Sequence, residues 1–208
     1  MTLRRRRQVA AVVTVAGAGL LGASLSTEPG SQRFYTMTFG VAGTWVAGGF
    51  ASGPIHLGRG TVIAPIAIGA GAFAGFYATA LVARRIPILR RAIAGVLQYE
   101  NRGSSKLVLL TTLTNGVAEE VFFRGGVYAA ADGKRPVVLS TAAYAMATTA
   151  TRNPALVLAS IVMGTLFALQ RRATGGIQAP IIAHITWSAL MLRFLPALFH
   201  TPPTTPLS

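Results

Sequence analysis

Seven apolar runs recur along this chain, at about Val9–Leu25, Phe34–Phe50, Val62–Ala83, Leu107–Ala131, Pro136–Ala150, Pro154–Leu169 and Ile177–Phe199. Several approach the ~17–25 residues that a helix needs to cross the hydrocarbon of a bilayer. Backbone N–H and C=O groups find no water in lipid, so each run must satisfy its own hydrogen bonds, as a helix does. The expected fold is therefore all-α, a polytopic transmembrane bundle of about 6–8 spans. Pro136–Ala150 is short and is expected to be tilted, partly re-entrant or shielded by its neighbours. Small-residue spacings such as Gly71-Ala72-Phe73-Ala74-Gly75 let such helices approach closely.

Charge fits the same picture. The formal net charge of +14 would point to nucleic acid in a soluble protein. Here hydrophobic residues make up 52% and charged residues 12%. The arginines cluster at the ends of apolar runs, at Arg4 to Arg7, Arg84-Arg85, Arg90-Arg91 and Arg171-Arg172. That is the placement of topology signals and of contacts with anionic lipid headgroups, so no nucleic-acid partner is expected. The chain has no cysteine, which excludes disulfides, thiolate catalysis and a Cys-ligated metal.

Arg4 to Arg7 followed by an apolar run resembles a secretory signal, but no small-x-small cleavage site closes it. An uncleaved first span with a cytoplasmic N-terminus is expected. Three full spans after that would place Arg84, Arg85, Arg90, Arg91, Arg102 and Lys106 outside, against the positive-inside rule. Either one early run does not cross, or Arg84–Arg91 lies as an amphipathic helix in the interface. By organisation, 1–100 holds N-terminal spans and the basic interfacial segment, 101–199 the later apolar runs, and 200–208 a disordered tail.

Against this apolar background, Glu119 and Glu120 stand out. The chain has five acidic residues, and two of them are adjacent in the middle of an apolar run, in Gly116-Val117-Ala118-Glu119-Glu120-Val121-Phe122-Phe123-Arg124-Gly125. An ionisable side chain near the bilayer centre costs ~2.5–3.5 kcal/mol even on insertion scales, so such residues mark polar cavities. On a helix Glu120 and Arg124 are i,i+4 neighbours, while Glu119 is rotated by about 100°. One carboxylate can pair with the guanidinium while the other points elsewhere. Two glutamates in one low-dielectric site suit acid/base work; a Glu–Arg pair that only holds helices together is the plainer alternative. His184, with Ser188 one turn later on the same face, fits an acid/base, a metal ligand or an oxyanion donor, or else a simple interhelical hydrogen bond. The hydroxyl-rich run Ser140–Thr151 suits helix packing, and Gln170–Gly176 reads as a short turn between spans.

In this order and spacing the features resemble the CAAX-prenyl protease and bacteriocin-processing family, also called Abi or type II CAAX proteases. The first motif, Glu-Glu-x-x-x-Arg followed by glycine, is matched by Glu119-Glu120-Val121-Phe122-Phe123-Arg124-Gly125. The later Gly…Thr-Gly…Ala-Pro-x-x-x-His pattern is matched by Gly164, Thr174-Gly175, Ala179-Pro180 and His184. The resemblance covers about Leu107 to Leu195. Two positions depart from it. The second motif, Phe-x-x-x-His, corresponds to Tyr144-Ala145-Met146-Ala147-Thr148, with threonine for histidine. The third, His-x-x-x-Asn or another small polar residue, corresponds to His184-Ile185-Thr186-Trp187-Ser188.

The resemblance implies an intramembrane glutamic endopeptidase whose active-site cavity lies inside the membrane. It implies Glu119 as general base, His184 and Ser188 as oxyanion donors, and Glu120 with Arg124 fixing the geometry. Thr148 could at most hold the water by a hydrogen bond. No cofactor is expected. No metal is expected either, since one histidine beside carboxylates is a poor zinc site. The implied substrate is a membrane-embedded or lipidated peptide or protein, and the implied location is a bacterial cytoplasmic membrane. Two further readings stay open. One is a catalytically silent relative that binds or shields a peptide in the same cavity, in an immunity-like role; the other is a transporter or channel that uses the Glu–Arg pair as a relay.

Overall fold

The computed structural model describes residues 1–133 and 135–199, without the side chain of Asn101. The expected disordered tail, 200–208, lies outside the described residues. Within them every regular element is helical: α1 (Leu3–Ser24), α2 (Gln32–Ser52), α3 (Ile63–Ala83), α4 (Pro87–Arg102), α5 (Ser105–Glu119), a π-helical segment (Glu120–Val127), α6 (Tyr128–Ala130), α7 (Pro136–Thr149), α8 (Pro154–Thr174), α9 (Gln178–Phe194) and a closing 3-10 turn (Pro196–Leu198). Four helical stretches are long and apolar enough to cross a membrane, at Leu3–Ser24, Ile63–Ala83, Pro154–Thr174 and Gln178–Leu198.

Local sequence sets the helix ends. Ser31 caps α2 by accepting from the Phe34 N–H at 3.1 Å. Asn153 caps α8 through the amides of Ala155 and Leu156 at 2.9 and 3.3 Å. Pro154 follows it at the first helical position, where its missing N–H costs nothing. Gly175, at φ +74°, ends α8 in the left-handed conformation that a Cβ would strain. The run expected as a turn from Gln170 is thus the last turn of α8, and the chain reverses only at Gly175.

α2 packs on α1, α5 and the π segment, and α5 packs on α9. Trp45 of α2 is fully buried, stacked on Phe122 at 4.9 Å and set against Phe123 at 5.1 Å. Ala42, Ala118 and Ala147 fill the rest of that core. A second cluster joins Met163 and Phe167 of α8 to Ala183 of α9. The outer helices carry exposed apolar side chains instead, with Val15 and Ile63 each 74% exposed. Those are the faces a bilayer would cover.

α4 is amphipathic, and Arg84, Arg85, Arg90 and Arg91 at and before its start are all exposed. The stretch between α2 and α3 clasps the start of α9. The carbonyls of His56 and Leu57 accept from the amides of Ile177 and Gln178, both at 2.9 Å. These amides open a helix and have no partner within it, so the clasp satisfies them and fixes the α9 axis.

Candidate active site

The apolar run expected as one α-helix changes its winding at the glutamate pair. α5 ends at Glu119, and Glu120–Val127 turns as a π-helix with i→i+5 bonding. Such segments are rare and cluster at functional sites. The wider turn still leaves Glu120 and Arg124 on one face, with Arg124 Nη1 donating to Glu120 Oε1 at 3.1 Å and both side chains fully buried. Side chains from neighbouring helices bond the carbonyls of this segment. Ser140 Oγ donates to the Phe123 carbonyl at 2.7 Å, and Arg171 Nε to the Arg124 carbonyl at 3.1 Å.

His184 arrives from α9, 64 residues on. Its Nδ1 lies 2.9 Å from Glu120 Oε1, and its Nε2 lies 4.0 Å from Glu119 Oε2. Glu120 Oε1 already accepts from a guanidinium, so Nδ1 is the donor in that contact. Nε2 therefore faces Glu119 with a lone pair on the neutral ring, and with a proton on the imidazolium. The ring stacks on Phe167 at 4.7 Å, which holds its plane. The 4.0 Å separation is too long for a hydrogen bond, and a water seated beside the pair can reach both partners.

Glu119 is turned away from the guanidinium. Its side chain is 16% exposed, against 0% for Glu120. Its Oε2 accepts from the phenol of Tyr144 on α7 at 2.7 Å. Glu119, His184 and Ser188 line one cavity of about 270 Å3, walled by α1, α2, α4, α5 and α9. The walls are mainly apolar, with a polar strip at Thr38, Thr111, Thr112 and Asn115. The Ser188 side chain forms no hydrogen bond among the described residues, and Ser188 lines this space one turn beyond His184.

Thr148 is placed differently. It is buried one turn beyond Tyr144, and its hydroxyl donates to the Tyr144 carbonyl at 2.8 Å. It is not among the residues that line the cavity. The structure thus brings together Glu119, Glu120, Arg124, His184 and Ser188, while Thr148 bonds to its own helix.

Two contributors were missed from sequence. In the sequence Tyr144 reads as the first residue of a motif and as part of the hydroxyl-rich packing run Ser140–Thr151, although a phenol inside an apolar helix needs a polar partner. Arg171 was read as an end-of-span charge. It is 8% exposed, and its guanidinium lies 5.1 Å over the Tyr128 ring.

A resident metal does not fit these residues. Glu120 Oε1 already accepts from Arg124 Nη1 and faces His184 Nδ1, and Glu119 Oε2 accepts from Tyr144. A divalent cation would also sit beside the buried Arg124 guanidinium. Among the described residues no group of three His, Cys, Asp or Glu side chains is arranged to hold a metal ion.

Residues 102–190, which include every member of this cluster, match the family model described as type II CAAX prenyl endopeptidase Rce1-like. No curated protein and no solved structure matches the chain. The family match and the four apolar helices together make this an integral membrane protein.

Proposed function

We propose that this chain, which through residues 102–190 belongs to the type II CAAX prenyl endopeptidase Rce1-like family, is an intramembrane endopeptidase that cleaves a membrane-associated protein or peptide with water activated by Glu119. The observation that carries the reading is the 4.0 Å gap between Glu119 Oε2 and His184 Nε2 at the wall of a mainly apolar cavity. A water seated beside that pair, on the cavity side, reaches both the carboxylate and the imidazole. On attack its oxygen bonds to the scissile carbonyl carbon and its proton passes to the Glu119 carboxylate. The carbonyl oxygen becomes an oxyanion, and His184 Nε2–H, in the imidazolium form, and the Ser188 hydroxyl donate to it. When the C–N bond breaks, Glu119 returns the proton to the leaving amine.

Glu120 and Arg124 work through His184. Glu120 Oε1 holds Nδ1 at 2.9 Å and is itself held by the guanidinium at 3.1 Å. This is the logic of a carboxylate that orients a catalytic imidazole. The mainly apolar cavity suits an apolar peptide segment, and the arginines around α4 suit anionic headgroups beside it. The active site on this reading lies within a bundle of six to eight spans, in a bacterial cytoplasmic membrane.

A second reading rests on Thr148. With threonine in place of the second-motif histidine, the chain would bind or shield a peptide in the same cavity without cleaving it. The test is to incubate the purified protein, reconstituted in liposomes, with a library of membrane-anchored peptides, and to run His184→Gln beside it. Cleavage by the wild type, lost in the variant, is the expected result. Saturable peptide binding without cleavage would favour the silent reading.

A further inference from the structure

From the hydrogen bond between Tyr144 and Glu119 we infer that Tyr144, rather than Thr148, is the residue by which α7 controls the general base. This rests on the endopeptidase reading for its consequence in catalysis, but the contact itself does not. The Tyr144 hydroxyl donates to Glu119 Oε2 at 2.7 Å. Among the described residues it is the one hydrogen-bond donor to either Glu119 oxygen. The phenol is also held in place. Its ring lies 4.7 Å under the Arg124 guanidinium and 4.9 Å from Phe123. On its other side runs α8, where a Cβ on Gly164 would come within 3.2 Å of Tyr144 Cδ1 and of Arg124 Nη2. Any larger residue there would press on both the phenol and the guanidinium.

Thr148 has no comparable geometry. Its hydroxyl proton goes to the Tyr144 carbonyl at 2.8 Å. The polar group that α7 offers to Glu119 thus comes from one turn earlier than the position where the resembled family carries histidine. A phenol donating to a carboxylate keeps that oxygen from rotating and favours the ionised form. Oε2 thereby stays fixed opposite His184, and the carboxylate is held ready to take the proton of the attacking water. Tyr144 touches neither substrate nor water in this arrangement. It is a positioning residue.

Tyr144→Phe removes one oxygen and keeps the ring, so packing on Phe123, Arg124 and Gly164 is retained. On membrane-anchored peptides cleaved by the wild type, kcat should fall by roughly 10- to 100-fold with KM little changed, as expected for losing a hydrogen bond to a charged group.

A second measurement needs no substrate. Dicyclohexylcarbodiimide adds only to neutral carboxyl groups, so its rate of attachment at Glu119, followed by peptide mass analysis, should rise several-fold in Tyr144→Phe. Unchanged labelling together with unchanged kcat would overturn the inference. An intact Tyr144→Phe beside an inactive Thr148→Val would return the role to Thr148. If the wild type cleaves no peptide, the endopeptidase reading fails, and the labelling rates still decide whether Tyr144 controls Glu119.

Discussion

Arginine does opposite work in two regions of this molecule. Around α4, Arg84, Arg85, Arg90 and Arg91 are exposed, and none is in an ion pair among the described residues. In the centre, Arg124 is fully buried and Arg171 is 8% exposed. Arg124 neutralises Glu120 and stacks on Tyr144, whereas Arg171 ties a π-segment carbonyl to α8. The first group is exposed, and its charges can be changed one at a time. The second group belongs to a packed polar network, where losing one partner strands another. Burial, not residue type, decides which role an arginine takes.

The largest effect should come from Arg124→Ala. It leaves the fully buried Glu120 carboxylate without its guanidinium, a change that typically costs ~3–5 kcal/mol. We expect a sharp drop in thermal stability in detergent together with loss of any peptidase activity. If Arg124→Ala melts like the wild type, then Glu120 is not held as described.

Arg171→Met should come next. It keeps much of the side-chain volume but removes the bond to the Arg124 carbonyl and the stacking on Tyr128. A loss of ~1–3 kcal/mol is expected, the usual cost of leaving a buried polar group unpaired. Hydrogen exchange should show it first in residues 120–127. Loosening confined to α4 would break the contrast between the two regions.

The smallest effect on the fold is expected from Arg90→Gln/Arg91→Gln. Melting should not shift measurably. Partition of a peptide spanning α4 onto vesicles rich in anionic lipid should weaken by roughly fivefold per arginine, and added salt should erase the difference. Wild-type and substituted peptides should partition equally onto neutral vesicles, because they differ in charge and share the apolar face.

Much of the site was legible because ionisable groups are rare in apolar runs. Glu119, Glu120, Arg124 and His184 stand out on that ground alone, and the i,i+4 spacing correctly joins Glu120 to Arg124. What joins His184 to Glu120 is packing between α5 and α9 across 64 residues, which no local period encodes. The π segment is silent for another reason. Its i→i+5 bonding is stabilised by Ser140 and Arg171, residues that lie on other helices. Tyr144 hid as an ordinary aromatic of a packed helix, and Arg171 hid among arginines that mark span ends. The amphipathic segment near Arg84–Arg91 was one of two readings of the basic run, and α4 does form there, over Pro87–Arg102.

Whether Glu119 activates the water is decided by comparing wild type with Glu119→Gln in liposomes on a peptide that the wild type cleaves. Glutamine is close to isosteric and can still accept from Tyr144, so the melting temperature should be nearly unchanged. The cleavage rate should fall by at least about 10²-fold, the usual contribution of a general base. Equal rates for the two folded proteins would contradict the account.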